Sequence, residues 1–139
     1  MLANKYQITD IHEATRAVCL TLKSELGNHI SITALNQGRY KIVRFQNETI
    51  LICYKREMYL KFEEGRGESI NSSDLLDGID KYNIKRVFFC YADSKIYCVS
   101  PHTILSQGIE RTTDAEDKAV YSFNVKLLLR YNEFQEATI

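Results

Sequence analysis

The chain has 139 residues, of which 45% are hydrophobic and 26% charged, with six glycines and one proline. This length predicts one domain over residues 1–139, and the composition excludes collagen-like, disordered and low-complexity proteins. The 18 basic and 18 acidic residues cancel, so no global field draws the chain to nucleic acid or to an anionic membrane.

The four cysteines indicate a reducing compartment. Cys19, Cys53, Cys90 and Cys98 lack the two-residue spacing of zinc and redox motifs, and their apolar neighbours favour buried, reduced thiols. The start of the chain has no apolar signal region, and no run approaches the roughly 18 apolar residues that span a bilayer. We therefore expect a cytoplasmic protein with no membrane partner and no metal site.

The first half of the chain predicts a helix followed by a hairpin-rich sheet. Apolar residues at helical spacing predict a helix over residues 10–26, which starts at a capping box and stops at Gly27. Alternating apolar residues predict strands around residues 30–32, 40–45, 49–55 and 58–62. We expect a turn at 36–38, a hairpin formed by the second and third of these strands, and a mobile loop at 63–69.

The second half predicts a sheet that is covered by helices. We expect a helix from residue 71 or 72 to 82, a strand buried on both faces at 87–91 and its hairpin partner at 95–99. A short helix at 100–106, a polar loop at 110–118, an edge strand at 119–125 and a terminal helix at 126–134 follow. The fold class is therefore α/β (α+β): a single domain with a mixed central sheet, built from hairpins, and helices on both faces.

The segment of residues 39–56 suggests a nuclease ancestry. It holds two alternating strands, and the second ends in Cys53-Tyr54-Lys55. With the helix before it, the segment resembles the PD-(D/E)XK, or restriction-endonuclease-like, nuclease superfamily, over about residues 10–99. In that family the second hairpin strand ends in Glu-x-Lys, and an Asp near the start of the first hairpin strand completes a Mg²⁺ site.

The resemblance implies a restriction-endonuclease-like fold in which the usual metal ligands are missing. On the family pattern Lys41 takes the place of the Asp, Cys53 that of the Glu and Lys55 that of the Lys. An ammonium and a thiol cannot jointly bind Mg²⁺, so the resemblance implies a scaffold without the standard cofactor. Mg²⁺ would return only if carboxylates had migrated towards a catalytic Lys55, and the candidates are Glu57, Glu63 and Glu25.

Charge is unevenly distributed within the neutral chain. Residues 39–66 carry seven Lys or Arg against four Glu, and tyrosines interleave with these cations. This mixture is typical of surfaces that contact phosphates and stack on bases, although it also suits the solvent side of an ordinary sheet. The candidate phosphate contacts are Lys41, Lys55, Arg56, Lys61 and Arg66.

A polar segment follows the basic stretch. Glu68, Ser69 and Asn71 stand between a predicted strand and a predicted helix. Polar loops on rigid scaffolds often carry function, so these three residues are candidates for a ligand-facing loop.

Three functions compete. The first is nucleic-acid binding, to DNA or RNA, on a degenerate nuclease-like scaffold. The second is a structural or interaction role through a homodimer interface, which the nine tyrosines and six phenylalanines favour. The third is a metal-dependent nuclease with rearranged carboxylates. An enzymatic role is therefore open and the less expected outcome.

Overall fold

A mixed six-stranded sheet lies at the centre of the protein. The structure, a computed structural model, describes residues 7–35, 38–113 and 118–131. Along the chain the elements are α1 (Ile11–Leu26), β1 (His29–Ala34), β2 (Tyr40–Phe45), β3 (Thr49–Lys55), β4 (Glu68–Asn71), α2 (Ser72–Tyr82), β5 (Arg86–Tyr91), β6 (Ile96–Val99), α3 (Pro101–Gln107), β7 (Ile109–Thr112), β8 (Ala119–Phe123), a 3-10 helix (Val125–Leu127) and β9 (Leu129–Arg130). The large sheet has the order β1-β2-β3-β5-β6-β9, and a small sheet has the order β4-β8-β7.

Helix α1 covers one face of the large sheet. The Asp10 carboxylate accepts the Glu13 N–H at 2.9 Å, which caps the helix as its sequence predicts. Gly27 follows the last turn with a φ of 83°, a value that favours glycine. The apolar stripe of α1 packs on inward residues of β2, β3 and β5, including Val43, Ile52 and Phe88.

The other face is covered by α2, α3 and the small sheet. Leu75 of α2, Ile104 of α3 and Phe123 of β8 are fully buried against this face. Strands β3 and β5 are therefore buried on both sides, which explains the continuous apolar run predicted for a covered strand. The predicted class, a single α+β domain with a mixed sheet between layers, is confirmed.

The strand register decides which side chains share a face. Strands β2 and β3 form the predicted antiparallel hairpin, in which Tyr40 pairs with Cys53 and Lys41 with Ile52. Strand β3 runs parallel to β5, and Lys55 pairs with Tyr91. Because side chains alternate along a strand, Cys53 and Lys55 face the small sheet, whereas Lys41 faces α1.

Both ends of the segment before β4 differ from the prediction. Residues 58–62 form no strand, since no other strand of the described residues pairs with them. The expected mobile loop at 63–69 is a tight turn, closed by two backbone hydrogen bonds between Glu63 and Arg66, and β4 begins at Glu68. The predicted turn at 36–38 lies largely outside the described residues.

The region after α3 is more extended than predicted. Strand β7 occupies the start of the expected polar loop, and β8, expected at an edge, is the central strand of the small sheet. The prediction of a terminal helix at 126–134 is wrong for residues 126–131, the part that the structure describes. There the chain makes one 3-10 turn, capped by Asn124, and then adds β9 to β6, where Leu129 pairs with Cys98. Residues 132–134 lie outside the described residues.

Candidate functional site

Two adjoining cavities open beside the end of β3. Their volumes are about 280 Å³ and about 490 Å³, and Arg39, Lys55 and Ser69 line both. We call the pair the Lys55 groove. Its charged and aromatic lining consists of Arg39, Tyr40, Tyr54, Lys55, Arg56, Glu57, Tyr59, Glu68 and Lys118.

The β2–β3 hairpin and β4 position these side chains. The Tyr54 N–H donates to the Arg39 carbonyl at 3.0 Å, which sets the start of β2 beside the end of β3. Strand β4 belongs to the small sheet, where it pairs with β8. Its first residues, Glu68 and Ser69, lie against the end of β3. The groove therefore lies where the two sheets meet.

A buried carboxylate forms the base of the groove. Glu68 Oε1 lies 3.5 Å from Lys55 Nζ, and Oε2 accepts the Tyr91 hydroxyl at 2.6 Å. The Ser69 N–H also donates to Oε1, at 3.1 Å. Burial raises the pKa of the Tyr91 hydroxyl above its usual range, and the neighbouring Glu68 charge raises it further. The hydroxyl therefore keeps its proton and donates it in the hydrogen bond to Glu68.

Cys53 and Tyr40 face each other beside this carboxylate. Burial raises the pKa of Cys53 to about 12, and the Lys55 charge offsets this only partly. Burial also raises the pKa of Tyr40, whose hydroxyl accepts the Asn71 N–H at 3.0 Å. Both side chains are therefore neutral near pH 7, and neither supplies the hard anionic oxygen that Mg²⁺ prefers.

Lys41 does not belong to this site. Its side chain faces α1, where Nζ donates to His12 Nδ1 at 3.0 Å. The expectation that it replaces a metal-binding Asp beside Cys53 and Lys55 is wrong, because its register places it on the opposite face of the sheet. Lys41 therefore cannot share one phosphate-binding surface with Lys55.

Of the three carboxylates expected near Lys55, only Glu57 lines the groove. Glu25 bonds instead to Arg86, at 2.9 Å, and to the Tyr131 hydroxyl; the Tyr131 hydrogen bond and the Arg86 charge lower the pKa of Glu25. Glu63 stands in the tight turn, where its backbone pairs with Arg66. Neither Glu25 nor Glu63 lines the groove.

Glu68 is the carboxylate that the sequence interpretation assigned to a different role. It was expected in a ligand-facing loop, whereas it is a buried partner of Lys55. The available signal was alternation: Glu68 and Ile70 are two residues apart in a strand, and an inward Ile70 implies an inward Glu68. Within the described ranges, no group of three His, Cys, Asp or Glu side chains is placed to hold a metal ion.

The other predicted residues divide between the groove and its surroundings. Arg56, Ser69 and Asn71 line it, and Asn71 Oδ1 also caps α2 by accepting the Asp74 N–H at 3.0 Å. Lys61 is exposed in the irregular segment of residues 56–62, and Arg66 is exposed in the turn. Neither of them lines the groove.

Most of the described tyrosines lie in the core or pack against it. Among the described tyrosines only Tyr59 is classed as exposed, at 49%. The aromatic content thus serves packing, and it does not form a broad surface patch on the described part of the chain.

Comparison of the chain with known proteins gives no match to a family, to a curated sequence or to a solved structure. None of the described helices combines the length and hydropathy needed to cross a bilayer.

Proposed function

We propose that the protein binds single-stranded nucleic acid through the Lys55 groove. The observation that carries this proposal is the clustering of four cations, Arg39, Lys55, Arg56 and Lys118, around two adjoining cavities. Lysine and arginine that neutralise phosphates supply most of the affinity of non-specific nucleic-acid binding.

The exposed arginines are the main phosphate contacts. Among the described residues, two acidic side chains, Glu57 and Glu68, line the groove, and the Glu68 charge is offset by Lys55 at 3.5 Å. Arg39 and Arg56 are exposed, so they can meet a phosphate without breaking a buried ion pair. Arginine also matches the geometry of phosphate oxygens better than lysine does.

Tyr59 favours single strands over duplex. It is about half exposed and lines the groove near Arg56, and the exposed Lys61 follows two residues later. An exposed aromatic ring beside cations can stack on an unpaired base, whereas bases within a duplex are already stacked.

The order of elements supports a nuclease-like scaffold as the origin of the site. Helix α1 precedes the β2–β3 hairpin, and the hairpin ends at Lys55, as the resemblance implies. On the large sheet, Cys53, Tyr40 and Tyr91 face the same side as Lys55 at this end. A scaffold with these neutral groups would keep the binding surface without the standard metal ligands.

Fluorescence anisotropy with labelled oligothymidylate and oligouridylate tests the proposal. We expect binding that weakens steeply between about 50 mM and about 200 mM salt. The double variant Arg39→Gln, Arg56→Gln should bind more weakly and should lower the slope of log K against log salt by about 1.4, since each single-strand phosphate contact contributes about 0.7.

The matched control is Lys85→Gln, Lys126→Gln, which makes the same charge change at exposed positions that do not line the Lys55 groove. It should bind the oligonucleotides as the unaltered protein does. The proposal fails if there is no binding at the lower salt concentration, or if the two double variants lose affinity equally.

A further inference from the structure

A second groove lies on the opposite face of the large sheet, between α1 and β1. It encloses about 330 Å³, and we call it the α1–β1 groove. Five basic side chains line it: His12, Arg16, Lys23, His29 and Lys41. Among the described residues no Asp or Glu lines it, so the charge of the groove favours an anionic ligand.

The floor of the α1–β1 groove is apolar. Leu20 of α1 and Ile32 of β1 line it and are 65% and 45% exposed. Exposed apolar side chains beside one another within a polar rim are typical of surfaces that bind a partner. The ligand should therefore carry apolar groups as well as negative charge.

Strand β1 supplies an open backbone edge next to this floor. It is the first strand of the large sheet as the described strands define it, and all six of its residues are exposed or half-exposed. Pairing with β2 is regular from Ser31 to Ala34 and shifts between His29 and Ser31. An uncovered edge of this kind is a template for one more strand.

We propose that the α1–β1 groove binds an extended peptide that carries acidic and apolar side chains, and that this peptide adds as a strand to β1. Peptide backbone would pair with the free edge, which gives affinity, and every second side chain would face α1, which gives selectivity. Apolar side chains would contact Leu20 and Ile32, and flanking carboxylates would meet Arg16 and Lys23.

Other occupants fit the groove less well. A second copy of the chain, paired through its own β1, would bring two sets of three Lys and Arg side chains together. Nucleic acid would find phosphate partners here but no exposed Phe or Tyr ring among the described lining residues, because Phe45 is buried. The charge and the aliphatic floor together favour the acidic peptide.

The probe is a fluorescein-labelled peptide of sequence Glu-Thr-Leu-Thr-Glu-Thr-Leu-Thr-Glu, which presents alternating Glu and Leu on one side. We expect binding by fluorescence anisotropy and no binding of the peptide in which Lys replaces every Glu. Two N-methylated versions, blocked at odd or at even amides, test strand addition. One should lose binding and the other should keep it, since only one set of amides can face β1.

The groove variant is Arg16→Glu, Lys23→Glu, and the matched control is Lys85→Glu, Lys126→Glu, at exposed positions that do not line the α1–β1 groove. We expect the first to weaken peptide binding at least tenfold and the second to change it less than twofold. Leu20→Gln, at an exposed position, should also weaken binding while the melting temperature stays unchanged.

Four outcomes would overturn the inference: no binding of the acidic peptide, equal loss in both charge-reversal variants, full binding of both methylated peptides, or displacement of the peptide by oligothymidylate. Concentration-dependent self-association that Leu20→Gln abolishes would also overturn it, by assigning the groove to a second copy. Oligonucleotide binding through Arg39 and Arg56 is measured separately, so each proposal can fail without the other.

Discussion

Lys55 at the end of β3 and Glu68 at the start of β4 form an ion pair of 3.5 Å whose side chains are only 12% and 4% exposed. The pair connects the large sheet to the small one, because β4 belongs to the small sheet. Glu68 is also held by the Tyr91 hydroxyl, so the contact is fixed from two strands of the large sheet. This pair therefore sets the geometry of the Lys55 groove.

Breaking the pair from one side should destabilise the protein strongly. Lys55→Met leaves the Glu68 carboxylate buried without its cation, which costs about 3–5 kcal/mol in comparable buried pairs. Adding Glu68→Gln should restore part of this loss. Urea unfolding of both single variants and the double variant gives the coupling energy, which we expect between about 0.5 and 3 kcal/mol.

A solvent-exposed ion pair with a similar N–O distance is the control for the Lys55 variants. Lys81 Nζ lies 3.8 Å from Asp77 Oδ2 on α2, and the lysine side chain is 67% exposed. Lys81→Met should cost less than about 0.5 kcal/mol, as is usual for such helix pairs. A Lys55→Met variant as stable as Lys81→Met would contradict a structural role for the buried pair.

Gly67 should not tolerate a side chain. A Cβ at this position would lie 2.4 Å from the Phe123 carbonyl oxygen and 2.5 Å from Phe62 Cδ1. We expect Gly67→Ala to lower the free energy of unfolding by about 1–3 kcal/mol, the usual cost of overpacking. At Gly38 a Cβ would meet no atom of the described residues within 4 Å, so Gly38→Ala should be close to neutral by the same measurement.

Stability should fall at alkaline pH as the unfolded chain releases thiol protons. Burial raises the pKa of Cys90 from 9.0 to about 12, so the folded thiol keeps its proton while the unfolded one loses it. This contribution is complete below pH 9 and is lost as the pH rises towards about 12. Its slope is about 1.4 kcal/mol per pH unit.

Cys90→Ala should therefore flatten the alkaline decline measured by urea unfolding. The control is Val87→Ala, which also shortens a buried side chain of β5. It should lower the free energy of unfolding by the same amount at every pH, so the alkaline decline keeps its slope. If the free energy of unfolding falls equally with pH in the unaltered protein and in Cys90→Ala, the pKa of this thiol does not differ between the folded and the unfolded chain.

We expect oligonucleotides bound in the Lys55 groove to remain intact in the presence of Mg²⁺. The residues opposed at the end of the β2–β3 hairpin are Tyr40 and Cys53, and a neutral phenol and a neutral thiol do not replace paired carboxylates. Gel analysis of labelled DNA and RNA with Mg²⁺ or with EDTA checks this. Cleavage that needs Mg²⁺ and disappears in Glu68→Gln would instead support a rearranged nuclease site.

Local patterns were sufficient to predict the elements that depend on neighbouring residues. The α1 stripe, its Asp10 cap, the Asn71 cap of α2 and the Ser100 cap of α3 all involve contacts within four residues. The continuous apolar run in β5 likewise revealed a strand covered on both faces. Such features follow from periodicity and capping chemistry alone.

The site was less predictable because its contacts are distant in sequence. Glu68 reaches its place through pairing with Phe123, and the Lys55 cavities include Lys118 from another strand connection. The region after β8 shows the same effect. Its residues have a helical pattern, but Leu129 and Arg130 form β9 and pair with β6. Pairing between remote strands overrides local preference at these positions.

The hairpin turn between β2 and β3 spans only residues 46–48, and its length assigns each cation to its side of the protein. One inserted residue would shift the register between β2 and β3 and move each side chain of β2 to the opposite face of the sheet. Lys41 would then stand among the Lys55 cations, and Tyr40 would move towards α1. The Lys55 groove and the α1–β1 groove, which differ in chemistry, thus depend on the count of three residues in a single reversal.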